Sequence, residues 1–167
     1  GYKNERLVEY FDYLSLVEKC GLDIKERKVL FPSDLEKVHD KLSEEYILME
    51  NPEIDKKIKS VSNILSLNRY EDDKYIIFPV QSINGLVDES SQMHNCVRSY
   101  YERVADVKSE VYFMREKNSI EKSFVTVEVR RGKIVQARSK YNGDVSDAVW
   151  KVLRKWEKSL VLIDEEE

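Results

Sequence analysis

SFVTVEVRRGKIVQARSK, residues 123–140, decides the fold. Val, Thr, Phe and Ile recur at every second position on both sides of Arg131-Gly132, and Gly132 can take the positive φ that a tight turn requires. That pattern predicts a β-hairpin. With a two-residue turn, Arg130 faces Lys133, Glu128 faces Val135, Val127 faces Gln136 and Val125 faces Arg138. One face then carries Val125, Val127, Val129, Ile134, Gln136 and Arg138. The other carries Phe124, Thr126, Glu128, Val135, Ala137 and Ser139, so each face is apolar with polar groups inset.

Outward from the hairpin, EVYFMR at residues 110–115 and KYIIFPV at 74–80 read as two more strands, the latter closed by Pro79. Residues 82–92 read as a short helix or turn. QMHNCVRSYY at 92–101 is expected to open a longer helix running to about Val107, with Asn95 or Ser91 as cap and Val97, Tyr101 and Val104 packed on the sheet. Tyr141, Asn142 and Gly143 make a turn, and Val149, Val152, Leu153 and Trp156 line a last helix over 145–160, before an acidic tail at 164–167.

Toward the N-terminus helical spacing takes over. Leu7, Phe11, Leu14 and Val17 repeat at a helical period until Gly21 stops them. Leu35, Val38, Leu42 and Tyr46 line a second helix that Ser33 can cap, with His39 at the stripe's edge, and Ile54, Ile58, Val61 and Leu65 line a third over 52–68. We therefore expect an α+β fold: a helical N-terminal lobe over residues 1–70, packed with a small, mainly antiparallel sheet flanked by helices over 71–167.

The 167 residues suffice for one ordinary core, and 41% hydrophobic with 36% charged residues is a folded composition. No apolar run approaches the roughly 18 residues that span a bilayer, so no membrane partner and a cytoplasmic location are expected. Cys20 and Cys96 lie far apart and outside any CxxC pair. With His39 and His94 they offer no metal spacing, so neither a metal site nor a cofactor is expected. The first residue is Gly1, not Met, which reads as a tag remnant on a piece of a longer protein. Net charge is −4, yet residues 93–160 hold 15 basic against 9 acidic residues, a balance of +6 that leaves −10 elsewhere.

The order of local features resembles the PcfJ-like proteins of conjugative plasmids, phages and related mobile elements of bacteria. The stretches that carry the resemblance are YFDYLSLVEKCGLDIKERKVLFPSDLEKVHD, HNCVRSYYERVAD, YFMRE and TVEVRRGKIVQARSKYN, followed by a tryptophan-bearing helix. The resemblance implies an intracellular bacterial setting and marks His94, Cys96, Val97, Tyr100, Arg115, Thr126, Glu128, Gln136 and Asn142. It implies little chemistry. Arg98 stands where relatives commonly place glycine, and residues 106–108 replace a region that often bears one.

Three functional readings follow. The first is a binding module for nucleic acid or a nucleoprotein complex: Arg98, Arg103, Arg115, Arg130, Arg131, Lys133, Arg138 and Lys140 can meet phosphates, and Tyr100, Tyr101, Tyr112 and Tyr141 can stack on bases. Against it stands a solvated hairpin tip with core tyrosines. The second is an enzyme acting on nucleic acid or nucleotide, with His94, Cys96, Glu128 and Gln136 as candidate catalytic residues. Side chains two apart on a regular helix point about 200° apart, so His94 and Cys96 pair only if His94 lies in a loop. Otherwise Cys96 is a small buried residue, and Glu128 an ordinary cross-strand partner of a basic residue. The third is a protein-interaction domain docking through its acidic helical lobe. The sequence leaves the oligomeric state open.

Overall fold

The structure, a computed structural model, describes residues 2–162; Gly1 and the acidic tail at 164–167 lie outside them. The chain divides between Glu53 and Ile54 into two compact units.

The first unit is helical: α1 (Tyr2–Lys19), α2 (Arg27–Leu30) and α3 (Leu35–Glu50). Gly21 at φ 68° ends α1, where the Gly21 amide donates to Glu18 O and the Leu22 amide to Val17 O, the two bonds of a Schellman turn. Tyr13, Val17 and Leu42 form the core, with Tyr10, Leu14, Leu35 and Val38 around it. Tyr10 and Tyr13 donate their hydroxyls to Leu30 O and Val29 O, both at 2.6 Å. Two expectations need correcting. The inward stripe of α1 is rotated toward the tyrosines, leaving Leu7 and Phe11 exposed, and Asp34, not Ser33, caps α3 by accepting the Lys37 amide.

The second unit is an antiparallel sheet of five strands in sequential order, β1 (Tyr70–Glu71), β2 (Tyr75–Pro79), β3 (Glu110–Glu116), β4 (Val125–Arg130) and β5 (Lys133–Arg138). It carries α4 (Ile54–Leu65), α5 (Ile83–Met93), α6 (Tyr101–Ala105) and α7 (Asp147–Glu157). Val61 and Leu65 of α4 and Val149, Leu153 and Trp156 of α7 bury one sheet face, made by Ile77, Tyr112, Met114, Val125, Val127 and Val129. The unit boundary therefore lies nearer residue 54 than 70: α4 helps to close the sheet's own core.

Two local irregularities set the opposite face. The turn has two residues, and both Arg131 (φ 50°) and Gly132 (φ 69°) are left-handed, the combination of a type I′ hairpin. Beyond it, however, a β-bulge shifts the register, so Val129 pairs with Ile134 but Glu128 pairs with Gln136, Val127 with Ala137 and Thr126 with Arg138. Val135 is the extra residue, exposed. The expected pairs of Glu128 with Val135, Val127 with Gln136 and Val125 with Arg138 are thus displaced by one, which moves Gln136 and Arg138 onto the face of Thr126 and Glu128.

The expected long helix over the HNC stretch is also broken. α5 ends at Met93, and His94 sits at φ 49°, ψ 51°, in the place a glycine commonly takes. The Asn95 amide donates to Ser90 O and the His94 amide to Ser91 O, a Schellman turn built on histidine. Asn95 Oδ1 then accepts the Val97 amide at 3.0 Å and starts a single 3₁₀ turn, Val97–Tyr100, before the short α6.

Candidate functional site

On the face set by those irregularities lies a shallow cleft, open to solvent, lined by Asn95, Cys96, Val97, Tyr100, Val111, Thr126, Val127, Glu128, Gln136, Arg138 and Asn142. The bulge supplies Gln136 and Arg138, the turn after α5 supplies Asn95 to Tyr100, and the 3₁₀ turn Lys140–Asn142 supplies Asn142.

Beneath it runs a buried ionic network. Glu89 of α5 is fully buried and faces Arg115 of β3 in an ion pair made by both carboxylate oxygens. Glu89 Oε1 also accepts from Thr126 Oγ1, and Oε2 from Ser123 Oγ, each at 2.6 Å. The rings of Phe78 and Phe113 flank the guanidinium, 5.8 and 5.0 Å from its carbon. Arg115 is therefore withdrawn from any phosphate, a correction to its expected binding role. Thr126 in turn accepts from Asn95 Nδ2 at 3.4 Å, and Ser90 Oγ accepts from Arg98 Nε at 3.1 Å, which ties the HNCVR turn to the sheet. Tyr112 is likewise withdrawn. It is buried on the other sheet face, edge-on to Trp156, with its hydroxyl donating to Glu110 at 2.8 Å and accepting from Asn68 at 3.1 Å.

Glu128 has its own cage. Its Oε1 accepts from Ser109 Oγ at 2.7 Å and from Arg130 Nε and Nη2 at 2.9 and 2.7 Å, with Arg103 Nη2 at 3.7 Å. Arg103 also lies over the Tyr100 ring, 4.9 Å from its centroid. Arg138 pairs with the exposed Asp144 at 2.8 Å, a surface pair of the kind worth about 0–1 kcal/mol and easily exchanged for another anion. Arg131 and Lys133 are exposed at the hairpin tip.

His94 does not bond to Cys96 among the described residues. Its ring stacks on Tyr141, centroids 4.5 Å apart and planes 10° from parallel, and both residues are exposed on the cleft's rim. Tyr141 and Asn142 hold left-handed φ values of 59° and 55°, and Lys140 lies 5.6 Å from the Tyr141 centroid. Cys96 is exposed. Of the candidate catalytic set, the cleft thus brings together Cys96, Glu128 and Gln136. Of the binding set it gathers Tyr100 and Arg138 in its wall, with Arg103 and Arg130 in contact with its residues.

Glu89, Ser109 and Asn95 carry much of this geometry and were not singled out as site residues. A signal existed for Glu89: Arg115 alternates with Val111 and Phe113 on a buried face, and such an arginine requires a carboxylate partner. Among the described residues no three His, Cys, Asp or Glu side chains are grouped to hold a metal, and no helix is long and apolar enough to cross a membrane.

An uncharacterized protein of Listeria innocua serovar 6a is 27% identical over 154 residues, covering 90% of this chain and 34% of that relative. The chain therefore spans about a third of the length of that protein. No solved structure matches it. The family model of PcfJ-like proteins matches residues 9–151, and the chain belongs to the PcfJ-like family.

Proposed function

We propose that this chain is a single-stranded nucleic-acid binding domain, acting inside bacterial cells in the transfer or replication of mobile elements such as conjugative plasmids and phages. One observation carries the reading: around a single cleft stand an exposed aromatic stack, His94 on Tyr141, a second aromatic ring, Tyr100, and the guanidiniums of Arg103, Arg130 and Arg138. Aromatic faces accept unpaired bases, and arginines around them neutralise the phosphates between. The balance of +6 across residues 93–160 supports the same direction.

The test is fluorescence-anisotropy titration of labelled single-stranded and duplex DNA and RNA at several salt concentrations. With roughly three to five phosphates contacted, log affinity for a single strand should fall against log salt with a slope of about −2 to −3.5. Tyr141→Ala and Arg138→Ala should each weaken binding. Absence of binding at low salt, or affinities unchanged by both variants, refutes the reading.

A second reading places an enzyme at the same cleft, and the exposed thiol of Cys96 in its wall is what favours it. It requires turnover of an oligonucleotide or nucleotide that Cys96→Ser abolishes.

A further inference from the structure

The cleft's polar groups are unequally occupied. Thr126 donates to Glu89 and accepts from Asn95, and Asn95 Oδ1 is held by the Val97 amide, so these two have little left to offer a ligand. Glu128 differs. The residue is 94% buried, since its exposure is 6%, and every donor that reaches it falls on Oε1. Oε2 has no partner among the described residues, where no sealed side-chain oxygen is left without one. Because Glu128 lines the cleft, Oε2 is the part of it that the cleft exposes.

Directly across the ladder stands Gln136, its register partner and a fellow wall residue, whose amide can supply a donor beside that acceptor. Arg130 and Arg103 on Oε1 already offset the charge of the Glu128 carboxylate, so its occupant need not be a cation. What the pair complements is a neutral planar edge with donors facing Oε2 and an acceptor facing Gln136.

The four bases differ at this point. Guanine presents O6, N1–H and N2–H2 in a row, so its two neighbouring donors converge on Oε2 while O6 receives the Gln136 amide. Adenine and cytosine offer one amino donor beside a ring nitrogen acceptor and make one contact fewer. Uracil and thymine flank their single N3–H with two carbonyls, one of which is driven against the carboxylate.

We infer that the cleft of this chain selects guanine in a single strand, reading its Watson–Crick edge with Glu128 Oε2 and Gln136. The inference rests on the single-strand binding reading above.

The probe is a fluorescein-labelled thymine decamer in which the two central positions are guanine, adenine, cytosine, hypoxanthine or thymine. The guanine strand should bind tightest, about tenfold above the all-thymine strand, in line with what one good base-edge contact contributes. Hypoxanthine, which lacks the N2 amine, should fall between them. Gln136→Ala, at an exposed position that does not threaten folding, should remove most of the guanine advantage. Glu128→Gln should remove it as well, so that the guanine and thymine strands bind alike. Measurable binding with no preference for guanine overturns this inference and leaves single-strand binding standing. No binding to any strand overturns both.

Discussion

Replacing Arg115 by methionine should destabilise the sheet unit by about 3–5 kcal/mol, the cost of stranding one member of a buried ion pair. Methionine keeps apolar bulk between Phe78 and Phe113, so the loss is mainly of charge and of the guanidinium's bonds to Glu89. Glu89 is then left fully buried with only the hydroxyls of Ser123 and Thr126 as donors. Against a total stability of roughly 5–15 kcal/mol for a domain, this is about a fifth or more of the whole. Both tryptophans, Trp150 and Trp156, lie in α7, which packs on the same sheet, so their fluorescence during urea unfolding reports on this unit. With a denaturant slope of about 1.5 kcal/mol/M the midpoint should fall by about 2–3 M. Glu89→Gln in the same chain should restore most of the loss, because the amide oxygen still accepts from one hydroxyl, the NH2 donates to the other, and the group carries no charge. An Arg115→Met variant within about 1 kcal/mol of the parent refutes the argument. So does a double variant no more stable than the single one.

Burial raises the Glu110 carboxyl above its ordinary value of 4.5, only partly opposed by the hydrogen bond from Tyr112. The folded state thus holds this proton more tightly than the unfolded state, and the stability it contributes is present below pH 4.5 and lost as pH rises through the folded value. Urea midpoints measured from pH 4 to pH 8 should therefore decline less steeply with pH in Glu110→Gln than in the parent. Arg131→Asn should stabilise the hairpin by about 0.5–1 kcal/mol, since asparagine tolerates the left-handed position better than arginine; urea unfolding measures it. Gly132→Ala should do the reverse, because its φ is 69° and a Cβ would come within 2.7 Å of the Leu162 side chain. Thiol labelling at neutral pH should be biphasic: Cys96 is exposed and reacts first, while Cys20 is half-buried and has its thiol pushed up by burial and then by the charge of Glu45. Cys96→Ser should delete the fast phase, and its survival would refute the assignment.

The hairpin of β4 and β5 is legible from its alternating residues and a glycine at the turn, and β2 and β3 from short runs rich in β-forming residues that are buried on both faces. α3, α4 and α7 likewise show their apolar stripes, while residues 82–92 read only as a short helix or turn. What escapes is local. β1 has two residues, too short to carry a period. Leu7 and Phe11 fit a helical repeat as well as Tyr10 and Tyr13 do, and hydrophobicity alone does not reveal that the tyrosines face inward, where their hydroxyls find the Val29 and Leu30 carbonyls.

The cleft escapes for a stronger reason: each device that builds it has a second, commoner reading. A helix stop is read from glycine, but His94 takes the left-handed position that ends α5, so the sequence reads through it as helix. A bulge is read from a break in alternation, and the adjacent apolar Ile134 and Val135 make one, but apolar neighbours also mark strands buried on both faces, as in β2 and β3, so only pairing with β4 exposes the slip. Both irregularities put a strained or unpaired residue beside the cleft, and both bring in residues that regular structure would send elsewhere. An unbroken helix from residue 94 would carry His94 away from Tyr141. An unbulged β5 would turn Gln136 and Arg138 into the core occupied by Ala137. Left-handed His94, Tyr141 and Asn142 cost conformational free energy that three ordinary turns would not, and they cluster on one rim. Because Val135 is the extra residue, deleting it leaves Glu128 opposite Gln136 and Thr126 opposite Arg138 in a regular ladder. The deletion variant should therefore keep its hairpin by circular dichroism and its single-strand binding by anisotropy, whereas replacing Gln136 and Arg138 together by alanine should abolish binding. Parental affinity in the double alanine variant would show that Gln136 and Arg138 are not where the ligand is held.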